Sequence, residues 1–274
     1  MSFEQKMVVF RYSLSVWSGS QEDRDEVSVI ADAHGVTNNR EAGINVKNMI
    51  VGNPPELKSL RKMGGQIRSY INSNSLPYKH NKGAVLIKMS EYENFIQGLS
   101  QLNKKFVELR DEFIDNFPQI VERARQSKKT LLKDVKLPSV HQLKDKFSFD
   151  AICEPLPEIN TFDEIADIEG HIDEFKKSFE ERTQSIERAC LDHLRYTIKD
   201  RTDAILASLE VSKSSSINAK VVNKTVQAMK YVKKYNVMED IQVNNWRDFI
   251  LDAVNNNRSD DFTVQKLKDI SGAI

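Results

Sequence analysis

The sequence predicts a mainly α-helical protein with a long antiparallel, coiled-coil-like helical hairpin, a small N-terminal β-element and a C-terminal cluster of short helices. Two observations predict this fold class. Glycine and proline are scarce, at 10 and 7 of 274 residues, whereas β-sandwiches and barrels need many turn residues. In addition, two central stretches carry apolar residues in seven-residue register, which is the pattern of helices that pair along a narrow stripe.

The two heptad stretches predict the long helices of the hairpin. The first stretch places these apolar residues in register: Leu99, Leu102, Phe106, Leu109, Phe113 and Ile120. The second stretch does the same with Ile165, Ile168, Ile172, Phe175, Phe179 and Ile186. A capping-box pattern starts each helix, at Ser90 and at Thr161. Pro118 lacks a backbone donor, so we expect a kink or a break there, and Asn116 falls where the register requires an apolar residue.

The pattern divides the chain into three predicted segments. Residues 1–89 form an N-terminal α+β region with two short strands. Residues 90–211 form the hairpin, with a proline-bearing connector at 134–160 that we expect to pack on the rest of the chain. Residues 212–274 form a region of short helices, which the apolar spacing places at 217–235, 239–254 and 261–270.

Within the first segment, residues 6–17 and 84–87 are rich in β-branched and aromatic types, and we expect these two strands to pair. Pro54 and Pro55 suit the first turn of a helix. Two adjacent glycines, Gly64 and Gly65, interrupt the stripe of that helix. Close packing of another segment against the helix explains them most simply, because each glycine weakens a helix by roughly 1 kcal/mol relative to alanine.

Composition limits the classes of function. Lys plus Arg and Asp plus Glu are both 40, so no overall charge draws the chain to a polyanion. The two cysteines, Cys153 and Cys190, lack C-x-x-C spacing, which favours a reducing compartment. No window approaches 18 apolar residues, and the run before Arg11 is too short for the core of a signal peptide. We therefore expect a cytoplasmic protein.

No sequence motif predicts a catalytic centre. The chain contains neither a glycine-rich phosphate loop nor the elbow motif of a serine nucleophile. Cys190 and His193 lie three residues apart, on one face of a predicted helix, and could supply half of a zinc site. Because no second pair of ligands accompanies them, we assign them to the core. The sequence predicts no catalytic residue, no metal site and no cofactor, and hence a protein that is not an enzyme.

One basic stretch is the candidate binding site. Six lysines occur between 213 and 234 without an acidic residue: Lys213, Lys220, Lys224, Lys230, Lys233 and Lys234. Three interpretations remain open. The lysines can form a solvated face of a helix whose apolar side completes a bundle, bind an acidic protein surface, or lie against nucleic acid phosphates. The last is weakened because the lysines lack the aromatic and arginine residues that accompany them in many nucleic-acid-binding surfaces.

Three short motifs resemble those of a known family. They are VVFRYSLSVWSG at 8–19, GAVLIKMSEYENF at 83–95 and FSFD at 147–150. In this order they resemble a family of uncharacterised proteins from tailed phages and bacteria, the domain of unknown function 3150. The resemblance covers about residues 6 to 210 and implies no site residue. It does imply a genomic setting near MoxR-like AAA+ ATPases.

Together these features predict a non-enzymatic protein-interaction module, phage-encoded, that acts as an adaptor or partner of another protein such as a MoxR-like AAA+ ATPase. The hairpin surface or the basic helix would carry the interaction. One alternative is a nucleic-acid-binding protein that uses the helix at 213–234. The other is a virion or scaffold component, since a helical hairpin that leaves part of its stripe exposed self-associates readily.

Overall fold

The computed structural model describes residues 2–22, 24–35, 47–78, 83–128, 137–156, 172–211 and 216–274. Its helices are α1 (Phe3–Lys6), α2 (Arg24–Ala33), α3 (Pro55–Ser73), α4 (Tyr92–Lys128), α5 (Val140–Lys146), α6 (Ile172–Val211), α7 (Ala219–Tyr235), α8 (Ile241–Asn255) and α9 (Asp261–Ala273). Its strands are β1 (Met7–Leu14), β2 (Ser20–Glu22), β3 (Lys47–Met49), β4 (Leu76–Pro77), β5 (Ala84–Lys88) and β6 (Phe149–Pro155). The protein is therefore mainly helical with a small strand element near the N-terminus, as predicted.

The contacts divide the chain into two compact units. Unit 1 comprises Met1–Tyr12, Ile71–Phe95 and Ala151–Ile274, and unit 2 comprises Ser13–Tyr70 and Ile96–Asp150. Unit 1 thus draws on all three of the segments predicted from the sequence. That three-segment division stays a prediction.

The predicted pairing of the two N-terminal strands is confirmed. Strand β1 runs antiparallel to β5, with Met7 opposite Lys88 and Arg11 opposite Ala84, in a sheet of order β4-β5-β1-β6. The first four residues of β1, Met7 to Phe10, are all buried, which explains their unbroken apolar character. Phe10 meets the ring of Phe95 edge-on, with 5.1 Å between the ring centroids.

The helices of unit 1 pack around α6, which contacts α7, α8 and α9. Its buried residues recur on one face, at Ile186, Cys190, Leu194, Ile198 and Ile205. They join one apolar core with buried residues of the C-terminal helices: Met229, Val232, Tyr235, Val243, Ile250, Leu267 and Ile270. The three predicted C-terminal helices are thereby confirmed, and their apolar stripes face α6 or one another.

Unit 2 has an aromatic centre. Trp17, just after β1, lies 6.4 Å from both Phe113 of α4 and Phe147 at the end of α5, measured between ring centroids, and the two phenylalanines are 5.3 Å apart. Helix α3 starts at Pro55, as the proline pair predicted. Gly64 allows α3 to approach the chain beside β1, since a Cβ there would lie 2.8 Å from a Val16 methyl, whereas a Cβ on Gly65 would meet nothing within 4 Å. Close packing therefore explains the first glycine only.

Helix α4 corrects two details of the predicted hairpin. It runs without interruption from Tyr92 to Lys128, so of the kink or break expected at Pro118 the break is wrong, and the kink stays a prediction. It also begins two residues after Ser90, behind a single 3₁₀ turn. Where Asn116 departs from the heptad, Phe117 takes the buried position, so the apolar stripe shifts by one residue and continues to Ile120.

The pairing of the two long helices with each other stays a prediction. In unit 2, the predicted stripe residues Phe106, Phe113 and Ile120 of α4 are buried. In unit 1, α6 buries its stripe in the core shared with α7, α8 and α9. The start of the second predicted helix, with Ile165 and Ile168, lies outside the described residues.

Candidate functional site

The candidate basic site lies on α7, which the local sequence holds firmly in unit 1. The side chain of Asn218 caps the helix by accepting a hydrogen bond from the Lys220 amide at 2.9 Å. Thr225, Met229, Val232 and Tyr235 are buried, so one face of α7 belongs to the core. The opposite face is left to polar residues.

Four lysines are spread over the half of the helix circumference that faces away from the core, and we call them the lysine face: Lys220, Lys224, Lys230 and Lys233. All four are exposed, and within the described part of the chain none has an ion-pair or hydrogen-bond partner. Exposed Asn223 and Gln227 lie between them, and α7 contains no acidic residue. From Lys220 to Lys233 the cations extend over roughly 20 Å at 1.5 Å per residue.

The structure assigns Lys234 a different role. Its ammonium group lies 3.1 Å from the Glu91 carboxylate and 5.5 Å from the ring centre of Tyr235, and its side chain is only 30% exposed. Its backbone oxygen also accepts a hydrogen bond from Lys88 at 3.4 Å. Lys234 therefore ties α7 to the end of β5 and the turn after it. Lys213, the sixth predicted lysine, lies outside the described residues.

The pair Cys190 and His193 occupies the core side of α6. Cys190 is fully buried, and the His193 ring meets Tyr231 of α7 edge-on, with 6.0 Å between the centroids. The Tyr231 hydroxyl donates to the Ser75 backbone oxygen at 2.7 Å, and burial raises the pKa of this phenol far above its usual range. Among the described residues, no three His, Cys, Asp or Glu side chains gather as metal ligands. Cys190 and His193 thus contribute to packing between α6 and α7.

Unit 2 contains a second candidate site that sequence reasoning missed. A cleft of about 730 Å³ opens beside Trp17 and α5. Its lining residues are Ser15, Trp17, Ser20, Ile50, Leu137, Pro138, Gln142, Asp145 and Lys146. The volume lies in the range of small-molecule sites. No linear motif predicts the cleft, because its walls come from three separate parts of the sequence, 15–20, Ile50 and 137–146.

Hydrogen bonds hold the two sides of this cleft together. The Ser15 amide donates to the Ser148 backbone oxygen at 2.8 Å, and the Ser15 hydroxyl donates to the Lys146 backbone oxygen at 3.0 Å. At the start of α5, Ser139 and Gln142 form a reciprocal capping box. This S-x-x-Q pattern is the sequence signal that could have predicted α5.

The comparisons with known proteins give a family without an assigned function. A family described as "Protein of unknown function (DUF3150)" matches residues 4–165, more than half of the chain. The chain belongs to this family. The DUF3150 match includes every lining residue of the cleft and the motifs that carried the resemblance, whereas the lysine face lies beyond it. Neither the curated proteins nor the solved structures contain a match to the chain.

The DUF3150 motifs have structural roles. VVFRYSLSVWSG contains β1 and the central Trp17, and GAVLIKMSEYENF contains β5 and Phe95. FSFD contributes Phe147, which packs on Trp17. These motif residues therefore build the cores of the two units. In the described part of the chain, no helix is both long and apolar enough to cross a membrane.

Proposed function

We propose that this protein is a non-enzymatic interaction module, phage-encoded, that binds an acidic protein surface through the lysine face of α7. The observation that carries the proposal is the set of four exposed ammonium groups that have no ion-pair or hydrogen-bond partner among the described residues, on a helix without acidic residues. The partner we propose is a MoxR-like AAA+ ATPase, since the family resemblance implies such a neighbour. We place the site on α7 because the buried residues of α4 and α6 are used within their own units.

Electrostatics supports an acidic partner at this surface. The lysines repel one another, and at physiological ionic strength the screening length is about 8 Å, so neighbours one helical turn apart still interact. Carboxylates that approach the face relieve this repulsion, and no ion pair with another described residue has to break first. The free energy gained is sensitive to salt, and the charges speed the encounter with the partner.

A protein surface fits better than nucleic acid. Proteins read guanine mainly through bidentate hydrogen bonds from arginine, and helix α7 contains no arginine. Its aromatic residues are used internally, since Tyr231 is hydrogen-bonded to Ser75 and Tyr235 is fully buried. Bases would therefore find no ring of α7 on which to stack.

The test is co-purification with a MoxR-like ATPase encoded beside the gene. We expect the two proteins to co-elute and the rate of ATP hydrolysis to change. The double reversal Lys220→Glu with Lys224→Glu should abolish both effects, while the matched reversal Lys104→Glu with Lys105→Glu, at exposed positions of α4, should preserve them. Absence of co-elution together with an unchanged hydrolysis rate would refute the proposal.

A mobility-shift titration of the same variants with duplex and single-stranded DNA tests the alternative that the lysine face binds nucleic acid. Shifts that weaken steeply with salt and disappear in the Lys220 and Lys224 reversal would identify the lysine face as a nucleic acid site. We expect no such shift at physiological salt.

A further inference from the structure

We propose that the cleft of unit 2 binds a small organic carboxylate, with Lys146 and Gln142 holding the carboxylate group and the apolar part of the ligand lying along Leu137, Pro138 and the edge of Trp17. This inference is independent of the lysine face. It rests on the shape of the cleft, on the donors of α5 and on the surroundings of Lys146.

The donors of one wall favour an anion. Gln142 and Lys146 are four residues apart on α5, so both lie on the face that lines the cleft. The Gln142 side-chain oxygen already accepts a hydrogen bond from the Ser139 amide at 2.9 Å, which leaves its NH₂ group as a donor. Lys146 adds an ammonium group with three donors. Gln142 and Lys146 therefore both offer donors to a ligand, while the Asp145 carboxylate on the same helix can only accept.

Lys146 is held in place, and no acidic side chain of the described residues pairs with it. Its ammonium group lies 5.8 Å from the ring centre of Trp17, within the range of a cation–π contact, and the residue is half-buried. Over the described ranges of the chain, no carboxylate lies within ion-pair distance of it. Among the described lining residues the one acid is Asp145, which has 70% of its side chain exposed to solvent and lies 3.4 Å from His141. Its repulsion of a bound anion is therefore screened by water.

The cleft is open to solvent and large enough for a small organic ligand. About 730 Å³ accommodates a small organic molecule, and the lining combines apolar groups with a few convergent polar ones, as ligand sites do. The Ser18 and Ser20 hydroxyls share one hydrogen bond of 2.7 Å, so one of the two O–H groups remains able to donate. Each lining residue belongs to unit 2 and to the region matched by the family.

The test uses Trp17 as the reporter. The chain has two tryptophans, so Trp246→Phe leaves Trp17 alone. The probe is 3-phenylpropionate, and the matched uncharged probe is 3-phenylpropionamide, which differs only in the headgroup. We expect 3-phenylpropionate to change the Trp17 fluorescence saturably at up to millimolar concentrations and the amide to do so at least about tenfold more weakly, as the loss of one charged hydrogen bond implies.

Two variants and a control locate the site. Lys146→Met should raise the dissociation constant of 3-phenylpropionate about tenfold, while Lys144→Met, an exposed lysine of the same helix outside the cleft, should leave it unchanged. Gln142→Glu keeps the capping box but replaces the free donor with a carboxylate, so it should weaken binding without unfolding α5. A missing fluorescence response, equal binding of the two probes, or equal effects of the two lysine variants would overturn the proposal.

Discussion

The two adjacent glycines of α3 give a sharp test of the packing in unit 2. Gly64→Ala and Gly65→Ala make the same chemical change one residue apart, so their effects on the unfolded chain are nearly equal. Each gains about 1 kcal/mol of helix propensity. At Gly65 the new methyl group meets nothing within 4 Å, so the full gain should appear as added stability.

At Gly64 the new Cβ would lie 2.8 Å from the Cγ2 atom of Val16, which is closer than carbon atoms can approach. Because valine is stiff at χ1, the backbone or the helix has to move, at a cost of about 1–3 kcal/mol. Gly64→Ala should therefore lower stability by about 1 kcal/mol, and the two variants should differ by about 2 kcal/mol. Urea unfolding followed by circular dichroism measures this difference, provided that the slopes agree.

Val16→Ala supplies the control for that difference. This substitution removes the Cγ2 methyl group that the new Cβ would contact, so Gly64→Ala should lower the free energy of unfolding much less when Val16→Ala is also present. The effect of Gly65→Ala on the free energy of unfolding should be additive with that of Val16→Ala. If the two glycine variants were equally stable, or if Val16→Ala changed nothing, the proposed contact between α3 and the chain beside β1 would be wrong.

Other predictions test the cores of both units. Tyr231→Phe should cost about 1–2 kcal/mol of unfolding free energy, since the Ser75 oxygen loses its donor. Because the pKa of Tyr231 is raised in the folded protein, its contribution to the free energy of unfolding is complete below the pKa of the unfolded state, about 10, and is lost as the pH rises further. Between neutral and alkaline pH, the free energy of unfolding should therefore depend less on pH in Tyr231→Phe than in the original protein. Phe113→Ala should cost about 3–5 kcal/mol, because this fully buried ring contacts Trp17, Phe117 and Phe147. Phe262→Ala, at a ring that is 71% exposed, should change thermal stability little.

The sequence predicted those elements whose signal is local. Strands β1 and β5 are short apolar runs bounded by turn residues, and α7, α8 and α9 each carry an apolar stripe, so periodicity was enough to find them. A break at Pro118 does not occur because buried Phe113, Phe117 and Ile120 anchor α4 on both sides of the proline and offset its local cost. A tertiary contact overrode a local rule.

In the candidate sites, too, features with a local sequence signal were predicted and features that depend on tertiary contacts were missed. The exposed lysines of α7 followed from their spacing alone, but the ion pair of Lys234 with Glu91 could not be foreseen, because Glu91 is distant in the sequence. A binding role of the predicted lysines stays a prediction. The cleft was missed because Ser15, Ile50 and Lys146 come together only in the folded unit. Its strongest local signal, the Ser139 and Gln142 capping box, lay in a proline-rich stretch that we interpreted as a connector.

The most direct test of the proposed function is the salt dependence of partner affinity in single lysine variants. Lys220→Gln, Lys224→Gln, Lys230→Gln and Lys233→Gln should each weaken binding of the ATPase and flatten its dependence on salt, since each removes one exposed cation. Lys234→Gln should leave the affinity unchanged, because that lysine is engaged with Glu91. An affinity that does not depend on salt concentration would contradict the account, and so would a loss of affinity in Lys234→Gln as large as in the variants of the four exposed lysines.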